Sequence, residues 1–158
     1  MGTGARTNGH VRESVGLDAL TGVWNKSGFL AAATPMFLSC RRRAAPMALA
    51  YFDFDSDDPA HTELVLMAMA AQMRAAFRAT DIVGRVEPLR FAVFLTDCTD
   101  EALKAVEGVR AITDETRASL GISLAVSMVR STNEATLEDL MGAADRRANA
   151  VKRDQRGS

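Results

Sequence analysis

Two apolar runs, Ile82–Val86 and Phe91–Leu95, are separated only by Glu87-Pro88-Leu89-Arg90. A connection that short joins antiparallel neighbours, because a parallel pair needs a crossover of about a dozen residues or more. The chain is therefore committed to an antiparallel hairpin near its middle. The turn is unusually filled. It has no glycine, it carries an anion and a cation, and its proline removes a backbone donor. What a turn of this kind serves is the functional question posed by the sequence.

The flanking segments set the architecture. Asn25 is a good N-cap for a helix over "NKSGFLAAATPMFLSCRRRA", with a kink or a loose first turn expected at Pro35. "MALAYFDF", residues 47–54, is a continuous apolar run that closes on "DFDSDD" and reads as a buried strand. A helix is predicted over Thr62–Phe77, just after Pro59, and another over "TDEALKAVEGVRAIT". "GISLAVSMV" reads as a strand. "TLEDLMGAADRRANAVKRD" reads as a last helix, acidic at its start and basic at its end, as the helix dipole favours. The order helix, strand, helix, hairpin, helix, strand, helix does not strictly alternate. It predicts an α+β fold with a central, mainly antiparallel sheet of about five strands flanked by helices.

With 158 residues, 47% of them hydrophobic and 25% charged, the chain fits one globular domain able to bury a full core. Lys+Arg 19 against Asp+Glu 20 leaves a formal net charge of -1, so no global field draws it to nucleic acid or to a membrane surface. No apolar run approaches the roughly 20 residues of a membrane span, and no secretion signal opens the chain. Cys40 and Cys98 are too few for a disulfide framework, lack zinc spacing and suit a reduced cytoplasm. Residues 1–16 are Gly-rich and polar and are expected to be a flexible segment ahead of one domain at 17–157, and "QRGS" at the end is expected to be disordered.

Five stretches, in order, resemble one family. "LDALTGVWNKSGFL" is similar to the opening motif D-x-L-T-G-L-x-N-R-x-x-F of the GGDEF domain of diguanylate cyclases, with Lys26 in place of Arg. "YFDFD" resembles its metal-bearing strand end, and "RATDIVGRVEPLRFAVFL" resembles R-x-x-D-x-x-x-R-x-G-G-D-E-F followed by an apolar strand. "ISLAVS" and "ADRRANAVKRDQR" resemble its S-I-G-V-A strand and its closing helix. The resemblance implies a sheet related to the palm of nucleotide cyclases. In active members it implies condensation of two GTP into cyclic di-GMP.

On that resemblance Glu87, Pro88, Leu89, Arg90 and Phe91 occupy the five signature positions, and only the phenylalanine matches. The two glycines of an active turn let the backbone approach a triphosphate, and Pro88 instead adds a ring and removes a donor. The next two positions should be carboxylates for Mg²⁺ and for the developing charge. Leu89 offers no lone pairs to a hard cation, and Arg90 brings a positive charge where a ligand is needed. No catalytic residue is therefore assigned, and the chain is expected not to be an active cyclase. A vestigial nucleotide site would consist of Asp53 and Asp55 at the metal-bearing positions, Glu63 where the family reads guanine, and Lys152 and Arg156 at phosphate positions. The loop after Asp55 is too short to supply the family's Lys and Asn. Mg²⁺ is not expected to bind tightly, and no other cofactor is implied.

"RATD", Arg78–Asp81, stands five residues ahead of the signature turn, the spacing of the family's inhibitory site for cyclic di-GMP. A guanidinium can fork onto phosphate or onto the O6 and N7 edge of guanine. The carboxylate can accept from guanine N1–H and N2–H. Arg110, in the following helix, corresponds to the extra arginine that neighbouring or partner subunits contribute in some members. A local ion pair between Arg78 and Asp81 is the structural counterpart of the same spacing.

The expected function is thus a catalytically inactive GGDEF signalling protein that binds cyclic di-GMP through Arg78, Asp81 and Arg110 and acts on a protein partner that the sequence does not identify. A ligand-bridged homodimer is compatible with it. The competing class is a nucleotide-free interaction scaffold on the same fold. Residual nucleotide chemistry is a third, opposed by Leu89 and Arg90. Met67, Met69 and Met73 are read as core filling, Trp24 as packed, His61 as exposed, and "CRRR" as a solvated helix end.

Overall fold

The computed structural model describes residues 16–56 and 58–157, without the side chains of 112–120 and of 156. Its elements are β1 (Trp24–Asn25), α1 (Lys26–Arg42), β2 (Ala48–Asp55), α2 (Pro59–Ala76), β3 (Ile82–Glu87), β4 (Arg90–Leu95), α3 (Asp100–Leu120), β5 (Ser123–Arg130) and α4 (Leu137–Gly157). The five strands form one sheet in the order β1-β3-β4-β2-β5. Only β1 and β3 run parallel; the other pairs are antiparallel. The α+β expectation and the mainly antiparallel sheet hold.

Strand β2 explains why its sequence is a continuous apolar run. Ala48, Ala50, Phe52 and Phe54 face a core shared with α2 and α3, while Leu49 and Tyr51 face a second core shared with α1 and α4. Successive residues point to opposite faces, and both faces are covered, so residues 48–52 are all apolar and a polar side chain further along the strand must find a partner. Asp53 is the next residue on the α1/α4 face. It is 6% exposed, a buried carboxylate that requires a partner.

Several elements differ from their sequence outlines. The two-residue β1 was not foreseen, since it is too short to show a period. The hairpin strands run to Glu87 and from Arg90, leaving only Pro88 and Leu89 as the connection, and the ladder shifts register between Arg85 and Glu87. Helix α1 continues through Pro35, α2 begins at Pro59, and α3 runs on to Leu120. Gln155–Gly157, expected to be disordered, continue α4. The expected flexible stretch at 1–15 lies outside the described residues, and Gly16 is buried with its carbonyl accepting from Asn25 N–H at 2.8 Å. Met69 and Met73 fill the core, but Met67 is exposed on α2, beside Leu64 at 64%. His61 is exposed and lies 3.1 Å from the Asp58 carboxylate. Arg41 and Arg43 of the basic run are engaged, with the carbonyl of Ala135 and the carboxylate of Asp97.

Candidate functional site

The hairpin connection sits at the open end of β2 and is tied down on every side. Arg85 Nε and Nη2 donate to the carbonyl of Pro88 at 3.0 and 2.9 Å, and its Nη1 donates to Asp18 Oδ1 at 3.2 Å. Asp18 also accepts from the backbone N–H and hydroxyl of Thr21. The carbonyl of Leu89 accepts from Phe54 N–H at 2.9 Å, and the Leu89 side chain packs on the α2/α3 core. Lys26 Nζ stands 3.6 Å from Glu87.

The register of the sheet brings Arg90 opposite Asp53, and both point to the α1/α4 face. Arg90 Nε donates to Asp53 Oδ1 at 2.6 Å and Nη2 to Oδ2 at 3.4 Å, while Nη1 donates to Asp145 Oδ1 at 2.6 Å. Its guanidinium carbon lies 4.2 Å from the centroid of the Tyr51 ring. Lys152 Nζ approaches the same Asp53 oxygen at 3.6 Å. Burial alone would lower the Arg90 pKa, but the hydrogen bond to Asp53 and that carboxylate's charge raise it above its ordinary value. Burial pushes the Tyr51 phenol well above its ordinary value. One carboxylate is thus held by two protein cations, in a place from which water is largely excluded.

Of the predicted nucleotide residues, the structure gathers Asp53, Asp55 and Lys152 around a cleft of about 450 Å³ that also includes Phe54, Ser123 and Gln155. Glu63 is exposed on the first turns of α2 and does not line that cleft. The Arg156 side chain lies outside the description. An adjoining cleft of about 660 Å³ runs from the hairpin connection to Asp145 and Lys152, with Arg90 in its wall.

The second locus is the turn between α2 and β3. Asp81 Oδ2 accepts from Arg78 N–H and Nε at 3.1 Å each, and Oδ1 accepts from Arg78 Nη2 at 3.1 Å and from Thr96 N–H at 3.2 Å. Arg78 Nη2 also donates to the carbonyl of Thr96. The Asp81 side chain is 1% exposed and that of Arg78 is 43% exposed. The hydrogen bond to Asp81 raises the Arg78 pKa further. Arg110 lies on α3 with a 3.3 Å ion pair to Glu107.

The sequence profile of the diguanylate cyclase GGDEF domain matches residues 15–158. The chain belongs to the GGDEF family. Among solved structures, the GGDEF domain of DgcB from Caulobacter crescentus, in complex with c-di-GMP, is similar with a TM-score of 0.76 at 15% identity, over 88% of each chain. Diguanylate cyclase SiaD from Pseudomonas aeruginosa, in complex with its activator SiaC, is similar with a TM-score of 0.73 at 21% identity, over 96% of this chain and 64% of that one. The active GGEEF domain of a Vibrio cholerae diguanylate cyclase is similar with a TM-score of 0.72 at 18% identity, over 82% of this chain and 91% of that one. No curated protein matches the chain.

Within this GGDEF domain, sequence reasoning missed Asp145 and Tyr51. Asp145 and Lys152 are seven residues apart on α4, one face of a helix, with the buried Ala148 between them. That spacing was the available signal that both would reach one spot on the sheet. Asp18 and Arg85 were also missed, although both fall in motifs that define the family resemblance.

Proposed function

We propose that this GGDEF domain is not a cyclase but a cyclic di-GMP receptor, binding the dinucleotide at the Arg78–Asp81 turn and passing its state to a protein partner. One contrast carries this conclusion. The arginine at the hairpin is 13% exposed and saturated by carboxylates, whereas the arginine at the turn is 43% exposed and held ready.

The hairpin residues do not fit a divalent cation. Mg²⁺ asks for hard oxygen ligands, usually carboxylates, around an octahedral centre. Here Asp53 is taken up by Arg90 and Lys152, Leu89 has nothing to donate, and a metal would have to approach two cations to reach one carboxylate. The backbone acceptors of the connection are also occupied, by Arg85 and by Phe54 N–H. Asp55 keeps an exposed carboxylate on the neighbouring cleft, but the turn supplies no second carboxylate with which it could hold a metal for catalysis.

At the turn, Asp81 and the Thr96 carbonyl hold the Arg78 guanidinium, so little side-chain entropy remains to be lost when it meets a phosphate or a guanine edge. In this function Asp81 positions Arg78, and Arg78 touches the ligand. Arg110 and a second copy of the domain remain the sources for further cations around a dianionic ligand.

The same geometry favours a second function. All four contacts that the Asp81 carboxylate makes are internal: three go to Arg78, and one fastens the turn to Thr96, the residue just after β4. A carboxylate committed in this way suits an interaction scaffold without nucleotide. Calorimetric titration with cyclic di-GMP, and separately with GTP plus Mg²⁺, decides between the two. The receptor predicts micromolar or tighter binding of cyclic di-GMP, lost in Arg78→Ala, and no product from GTP. No heat with cyclic di-GMP leaves the scaffold, and product from GTP overturns both.

A further inference from the structure

A cleft of about 400 Å³ opens beside the turn, between the loop that precedes β1 and the C-terminal end of α2. Met73 and Phe77 form an apolar floor, and Trp24, Arg74 and Arg78 stand at its walls. Trp24 was expected to be packed, yet it is 38% exposed on the edge strand of the sheet. Its indole is nonetheless fixed. A Cβ on Gly28 would stand 2.6 Å from Trp24 Cε3, and one on Gly16 would stand 3.1 Å from Cζ3, so the ring edge lies directly on two glycine positions. Arg74 is fixed as well, with Nη1 donating to the Thr21 carbonyl at 3.1 Å.

An exposed, immobilised indole lining one cleft with two pre-positioned guanidiniums is a feature that core packing does not require. It matches a flat aromatic ligand that carries negative charge. The indole offers a π-face for a base, and the arginines offer forked donors for phosphate. Apolar floor and cationic wall together disfavour a neutral peptide or a simple anion. We infer that Trp24 is the stacking platform for one base of the cyclic dinucleotide held by Arg78, and that Arg74 contacts its phosphate. This inference rests on the receptor function proposed above and extends its site to residues outside the Arg78–Asp81 turn.

Trp24 is the only tryptophan in the chain, which makes the test direct. Cyclic di-GMP is titrated while heat and tryptophan emission are followed on the same protein. The expected result is saturable quenching with the calorimetric affinity. Trp24→Ala should weaken binding by about tenfold to a hundredfold, the range of one base–aromatic stack, and Trp24→Phe should recover most of it. Arg74→Ala should weaken binding and flatten its salt dependence. Heat with unchanged emission, and unchanged affinity in Trp24→Ala, overturns the Trp24 platform while leaving a receptor at Arg78. No heat overturns the receptor and the platform together.

Discussion

Arg90→Met removes the buried cation while keeping most of the aliphatic stem. The Asp53 side chain is 7% exposed and that of Arg90 is 13% exposed, so the pair belongs to the buried class, in which breaking one partner costs about 3–5 kcal/mol. Lys152 remains 3.6 Å from Asp53 and offsets part of the loss, and the guanidinium also leaves the Tyr51 ring. We expect the lower end, about 3 kcal/mol. For a domain of this size that corresponds to a fall in Tm of about 6–12 °C, or a urea midpoint lower by about 1–3 M. Urea titration followed by circular dichroism measures it. The decisive arm is the double variant Asp53→Asn with Arg90→Met. If the cost comes from a stranded carboxylate, neutralising that carboxylate recovers at least about half of the loss. A single-variant cost below about 1 kcal/mol, the range of a solvated pair, would refute the internal-cation assignment. Strict additivity of the two substitutions would refute it as well.

Three further outcomes follow from the geometry. Asp81→Asn should cost about 3 kcal/mol in the same urea assay without any ligand, because an amide nitrogen would face the donors that the carboxylate now satisfies; a cost under 1 kcal/mol contradicts the structural tie to Thr96. Gly84→Ala should cost about 1–3 kcal/mol, since its Cβ would stand 2.8 Å from Phe29 Cβ, and Phe29 is fully buried; a neutral result would mean that α1 moves freely over β3. Burial pushes the Cys98 thiol above its ordinary value of 9.0. Folding then favours the protonated thiol, so its contribution is whole below the unfolded pKa and is lost as pH rises through the raised one. The urea midpoint should fall as pH rises past the ordinary thiol value, and that of Cys98→Ala should fall less; an equal fall in both removes Cys98 as the cause.

The hairpin, the buried central strand and the helix order were legible because each carries a local signal. The apolar runs have strand length, Asn25 caps α1 by accepting from Gly28 N–H at 2.9 Å, and the dipole pattern marks α4. The ends of elements were less legible. The helix was read from Thr62, just after Pro59, but Pro59 is itself the first residue of α2, where its missing N–H has no helical partner in any case. Strand β1 holds two residues and so has no period to read. At the candidate site Arg90 was legible as a lost ligand but not as a gained counterion. That role depends on the sheet register that sets Arg90 opposite Asp53 and on the packing of α4 that brings Asp145 and Lys152 to the pair, and both are properties of the tertiary structure. Trp24 was read as packed from its place in the opening motif, and the glycines that fix it at the surface, Gly16 and Gly28, lie on either side of it in sequence.

The two arginine–aspartate pairs show why identity alone does not assign a role. Arg90–Asp53 and Arg78–Asp81 are both close, charge-assisted pairs with a buried carboxylate. They differ in where the guanidinium stands. Arg90 has carboxylates on two sides and an aromatic face beneath, so any further anion must displace a buried partner. Arg78 has its carboxylate and a carbonyl on the protein side and solvent on the other, so an anion can be added without breaking the pair. It follows that Asp81 is the wrong residue with which to test binding by itself. Its removal unfastens the turn and lowers affinity whether or not it touches the ligand. Arg78→Ala keeps Thr96 N–H bonded to Asp81 but strands that buried carboxylate and releases the Thr96 carbonyl, so it reports on the ligand contact only where its urea midpoint shows the fold intact.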